Sequence, residues 1–283
     1  VSRPRAAPPA EQANRRTVPH AGWTKPGEAL HAEWTKARTS PGTGGLLLAV
    51  ITATVALSAA SAAAASCPSV GCAVDPAKLS LTGIQLGQAV VAILAVLAIG
   101  TEYSTEMIRI TFTALPHRAT VLAAKAAVLT GVVTAAAAVA VLGSLLAGRL
   151  ILPGRGVTAA HGYPPLSIGD GPVLRAAAGS VLYLVLIALL SLGIATAARN
   201  PATAIGIVLG LLYFFPIIAQ VAADPRWQRH LQQFGPMSAG LAIQATTRLG
   251  GLPISPWAGL GVLAAWAAAA LLTGGLLLRL RDA

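Results

Sequence analysis

Six stretches of this sequence each run for roughly 20 residues with almost no charge, the length an α-helix needs to cross about 30 Å of hydrocarbon. They lie near residues 44–65, 80–100, 121–147, 175–197, 203–222 and 256–278. Backbone amides in lipid must be satisfied within the segment or by a closed barrel, so runs of this length predict an all-α integral membrane protein with six transmembrane helices. The composition agrees, with 55% hydrophobic and 10% charged residues and a mean hydropathy of +0.71. Only Ala198, Arg199, Asn200, Pro201 and Ala202 separate the fourth and fifth spans, which predicts a tight helical hairpin with Pro201 at a helix start.

The net charge of +11 is segregated. Arg3, Arg5, Arg15, Arg16, Lys25, Lys36 and Arg38 precede the first span, and no basic face with aromatic or base-reading side chains is visible to suit a nucleic acid. The charge reads instead as topology and as attraction to membrane lipids. Thirteen Lys and Arg fall on the side of the termini and seven on the other, so both termini are expected in the cytoplasm of a cytoplasmic (inner) membrane. Residues 1–26, rich in Pro and Arg, read as a disordered basic tail, with residues 27–283 as the transmembrane domain. The first apolar run is long enough to span and reads as a retained helix, not a cleaved signal. Between them, Glu28 to Arg38 places Leu30, Trp34 and Ala37 on one stripe, as in an interfacial helix or, more plainly, the polar flank of the first span.

The spans lack most of the chemistry that drives transport from within. Lys125, a turn into the third span, is the one ionisable group well inside any of them, and it could snorkel to the head groups. Carboxylate or histidine relays of ion-coupled carriers are missing. His20, His31, His117, His161 and His230 have no zinc spacing, so no metal is expected, and no phosphate loop is present. The chain is therefore not expected to be an enzyme or to bind a cofactor itself. Cys67 and Cys72, after the first span, form a candidate disulfide if that loop lies outside the membrane.

The loop between the second and third spans is the most informative segment. On a helix, Glu102, Glu106 and Arg109 share one side, Tyr103, Met107, Ile110 and Ala114 share a neighbouring stripe, and Pro116 ends the run. Gln85 and Gln88, three apart on the second span, point into protein or a cavity, since facing lipid would be costly. Tyr213, Phe214 and Phe215 precede Pro216, which can loosen the fifth helix.

Glu102-Tyr103, Met107-Ile108-Arg109, Pro116, Arg118 and Lys125 occur in an order and spacing that resembles the ABC-2 type transporter permease family. So do Glu33-Trp34-Thr35-Lys36 before the first span and Ser255-Pro256-Trp257-Ala258-Gly259 at the last, followed by the terminal Arg281-Asp282-Ala283. The resemblance runs from about Glu28 to the end. It implies the permease subunit of an ATP-driven ABC exporter, paired with a second permease subunit (homo- or heterodimer) and two copies of an ABC ATPase subunit that holds the ATP and Mg. By the same resemblance, residues 101–120 carry a cytoplasmic coupling helix. Glu102, Tyr103, Glu106, Arg109, Pro116, Arg118 and Lys125 would couple to the ATPase; the plainer alternative is a helix end anchored at the head groups. Residues 223–252 would form an external re-entrant pair of helices, Trp227 to Phe234 and Pro236 to Leu249, or else an irregular surface loop. Gln85, Gln88, Tyr213, Phe214 and Phe215 become candidates for the substrate path, against ordinary helix packing or an aromatic belt. The expected cargo is hydrophobic or amphipathic, such as a drug, an antimicrobial peptide or a lipid. A reading from another class is a membrane structural or immunity protein that binds a partner without transporting.

Overall fold

The computed structural model describes residues 26–67, 74–104, 118–159, 162–163, 166–167 and 169–280. The basic tail, Cys72 and the 105–117 segment with Glu106, Arg109 and Pro116 lie outside them. Among the described residues every regular element is helical: α1 Pro26–Thr39, α2 Pro41–Ala64, α3 Pro76–Ser80, α4 Ile84–Ser104, α5 Arg118–Ile151, α6 Gly171–Ala198, α7 Pro201–Val221, α8 Pro225–Phe234, α9 Pro236–Gly240 and α10 Pro256–Leu280.

Among the described residues five helices, α2, α5, α6, α7 and α10, are long and apolar enough to cross a membrane. The expected second span is shorter than expected. Its apolar part is Ile84–Gly100, and it starts at Ile84 rather than near 80 because Pro76–Ser80 forms a separate short helix and residues 81–83 turn. The reason is local: the Asp75 side chain caps α3 with Pro76 at its first turn, a strong helix-start signal, and Gly83 is pinned against the α2 backbone at Thr54.

Helix α6 is the hub. In its most apolar stretch 61% of residues are buried against 22% in α2, α7 and α10, so α6 is ringed by protein and the others keep a face outward. It packs most extensively on α10, then on α4 and α5. Small residues make this possible, since apolar burial does not draw helices together in lipid and close backbone approach must. A Cβ on Gly193 of α6 would stand 2.5 Å from the Ala270 backbone of α10, and one on Gly274 would stand 2.6 Å from the Gly193 carbonyl. The α6–α7 hairpin closes as the sequence predicts. Arg199 takes a left-handed conformation (φ 56°) to end α6, the Asn200 side chain accepts from the Thr203 amide at 3.0 Å, and Pro201 opens α7. Helix α7 runs through Pro216 without ending.

Residues 225–252 form neither a plain loop nor two full helices. Helix α8 covers 225–234, starting two residues before the expected Trp227, but the second piece stops at Gly240, tightens into a 3-10 turn over Leu241–Gln244, and is extended at Ala245. The expected helix to Leu249 fails because Gly240 lies under the Tyr183 ring and Ile243 fills the notch over Gly179. Met237, Ala239, Ala242, Ile243 and Ala245 are all buried, so this turn is an integral part of the bundle.

Candidate functional site: an ion pair under the N-terminal helix

Helix α1 meets the bundle through a face that carries a charge. Ala29 and Glu33 are buried, whereas Leu30 and Trp34 are close to half exposed. The apolar stripe thus faces away from the protein, as an interfacial helix lying on lipid requires, and the face toward the bundle carries a carboxylate. Its partner is Lys125 of α5: Nζ donates to Glu33 Oε2 at 2.6 Å and to the Ala98 carbonyl of α4 at 3.0 Å. Lys36, one turn along α1, adds a weaker contact to Glu33 Oε1 at 3.4 Å from an exposed position. Lys125 is only 4% exposed, so it does not snorkel to the head groups. Its ammonium instead ties together α1, the end of α4 and the start of α5. Residues 105–117 connect those last two in sequence.

This clasp borders a cleft of about 470 Å³ between α1, α2, α4 and α5. Glu33, Lys36, Ser40, Thr43 and Lys125 line one end, and Leu46, Leu94, Leu97, Val128, Leu129 and Val132 line the other.

A second polar cluster crosses the bundle. Gln88 of α4 is fully buried; its Oε1 accepts a short hydrogen bond from Tyr183 Oη of α6, and its Nε2 lies 3.1 Å from Met237 Sδ of α9. Gln244 donates to Ser180 Oγ at 3.4 Å, and Arg175 to the Ala245 carbonyl at 2.6 Å. These bonds fasten the 236–245 turn to α4 and α6. The expected pairing of Gln85 with Gln88 on one inward face is not found. Gln85 is exposed, with its backbone carbonyl accepting from Tyr213 Oη at 2.7 Å and its backbone amide donating to the Thr82 carbonyl at 3.1 Å. Residues three apart on a helix are about 60° out of line, which is enough to put one in the core and the other at its edge. Phe214 points outward at 58% exposure, while Phe215 meets Trp266 edge-on at 6.4 Å. Of the five residues considered for a substrate path, then, Tyr213 and Gln85 are brought together, Gln88 belongs to the core, and Phe214 and Phe215 meet edge-on at 5.9 Å with Phe214 on the outer side.

The opposite end of the bundle is held by Asp75, which the sequence reading did not single out. Its carboxylate accepts from the Lys78 amide (3.1 Å), Thr246 Oγ1 (2.7 Å), and the Thr246 and Thr247 amides (2.6 and 3.0 Å). Burial raises its pKa, but the hydrogen bonds to the charged form outweigh burial and hold it below the ordinary carboxylate value. A depressed folded-state pKa stabilises the fold above the unfolded value of about 3.9 and loses that contribution as pH falls through the folded value. Thermal unfolding in detergent between pH 3 and 7 should therefore show a fall at the acid end that Asp75→Asn flattens. At pH 7 the variant should be less stable by about 1–3 kcal/mol, the cost of poorly paired buried donors; an unchanged acid limb would remove Asp75 from this role. Nearby, Cys67 is buried and disulfide-bonded, its amide donating to the Arg155 carbonyl at 3.0 Å. Gly156, at φ 85°, passes too close to the Cys67 carbonyl for any side chain.

Glu102 and Tyr103 fall in the last turn of α4 and Arg118 opens α5, so the part of the loop described here leaves and re-enters at the clasp. Among the described residues no three His, Cys, Asp or Glu side chains gather as a metal site. The helices define the class of the protein as a multi-pass helical membrane protein. No family model and no curated protein matches the chain.

Proposed function

We propose that the chain is the permease subunit of an ATP-driven exporter of the ABC-2 type, working with a second membrane subunit and two copies of a separate ATPase. The observation that best supports this reading is the clasp. Lys125 joins an interfacial helix to both stems of the 101–120 loop, so a partner that displaced the loop would move α1, α4 and α5 as one body. Packed interfaces shift between discrete arrangements rather than bend, and three helices tied at a buried charge would pass a displacement on. Both termini and the loop then face the cytoplasm, and α8 with the 236–245 turn lies at the outer side, above the apolar spans. The cargo is hydrophobic or amphipathic, because the spans offer few charges with which to bind an ion or a sugar.

The test is Glu102→Ala and Arg109→Glu in a complex reconstituted with its ATPase. Loss of a desolvated charge at that interface costs about 3–5 kcal/mol, or roughly 10²- to 4 × 10³-fold in affinity, against about 0–1 kcal/mol for a solvated pair. Both variants should stay folded in the membrane, and either lose the ATPase on purification or hydrolyse ATP without transport. Wild-type co-purification, hydrolysis and transport in both would leave the loop as a head-group anchor and favour a non-transporting membrane protein.

A further inference from the structure

The cleft under α1 has a polarity gradient that the proposed transport does not use. Down α5 its lining runs Lys125, Val128, Leu129, Val132, and the facing wall of α4 runs Ala98, Leu97, Leu94. Seven residues at 1.5 Å per residue put the apolar end about 10 Å from the charged end. The charged end lies at the level of α1, whose outward Leu30 and Trp34 mark the interface between head groups and acyl chains. The gradient is therefore aligned with the bilayer's own. Leu46, Leu97, Val128 and Val132 are each half-buried, so the apolar walls remain open to a neighbouring chain. At the polar end, the Ser40 hydroxyl makes no capping bond to α2. The Lys36 side chain, 44% exposed, places a positive charge at the mouth of the cleft. At about 470 Å³ the cleft is the size of a site that encloses a small ligand or a single chain.

We infer that this cleft is a binding site for one membrane phospholipid, with an acyl chain between α2, α4 and α5 and the phosphate at Lys36, Ser40 and Thr43. A lipid held there would fill the gap beneath α1 and brace the Glu33–Lys125 clasp. The site depends on the chain being a membrane protein and on nothing about transport, so it can stand if the exporter reading fails.

Photolabelling of the full-length protein in nanodiscs tests it, with a phosphatidylglycerol carrying a diazirine on one acyl chain as probe and the matching diacylglycerol as control. Phosphatidylglycerol should label the peptide holding Val128 and Val132 at least fivefold more than the outward-facing Leu272 of α10. Diacylglycerol should show no such preference, and Lys36→Glu should reduce the labelling severalfold. Val128→Trp fills the cleft from one wall and Leu97→Phe from the other; either, if folded, should bring the labelling down to the Leu272 level. Equal labelling of the two positions, or equal labelling by both probes, would reduce the cleft to a generic apolar crevice and overturn the site. Labelling that survives both filling substitutions would do the same.

Discussion

Lys125→Ala should be among the most damaging single substitutions in the described part of the chain, costing about 3–5 kcal/mol, because it strands the buried Glu33 carboxylate. The charge is nearly inaccessible, at 8% exposure, and its remaining partner Lys36 is longer-range and wet. Lys36→Ala should cost only about 0–1 kcal/mol, as exposed pairs do. The double variant Glu33→Leu/Lys125→Met should recover much of the loss, since replacing both members of a buried pair with apolar groups is often neutral. Detergent-melting curves read stability, and protease sensitivity of α1 reads whether that helix has come loose. If Lys125→Ala melts like wild type with α1 still protected, the ion pair holds nothing.

Gly193→Leu should separate α6 from α10 and destabilise by about 3 kcal/mol or more. Overpacking usually costs about 1–3 kcal/mol, and here the obstacle is helix backbone at 2.5 Å rather than a side chain that can rotate away. Gly206→Leu on the open face of α7, where nothing stands within 4 Å, is the matched control and should be nearly neutral. Thermal melts in detergent compare the two variants. Equal melting of the two variants would contradict the close-packing account.

The helices could be read from the chain because bilayer thickness and backbone hydrogen bonding leave a long apolar run few alternatives. Ends defined by local chemistry, as at Asn200-Pro201 and Pro256, were legible too. The partnerships were not. Glu33 and Lys125 both stood out in the sequence, yet they are 92 residues apart, and periodicity says nothing about which helices adjoin. The stripe of Leu30, Trp34 and Ala37 drew attention to the outward side of α1, where Leu30 and Trp34 lie, whereas Ala37 lines the cleft and the shorter Ala29, Glu33 set that meets the bundle was overlooked. Tyr183 was missed although a phenol inside an apolar span needs a hydrogen-bond partner, and that need was the available signal. Asp75-Pro76 likewise carried a helix-start signature that could have separated α3 from α4. The break at Gly240 was out of reach, because it follows from the Tyr183 ring packed against that glycine, a tertiary contact.

The most direct test of the exporter reading is photo-crosslinking from the loop itself, with a photoreactive phenylalanine analogue in place of Ile110 in membranes that also contain the cognate ATPase. The expected result is an adduct whose added mass and peptides identify a soluble subunit with a nucleotide-binding phosphate loop, lost when Arg109→Glu is introduced alongside. Adducts to lipid alone, unchanged by Arg109→Glu, would contradict a coupling role and leave the loop as a head-group anchor.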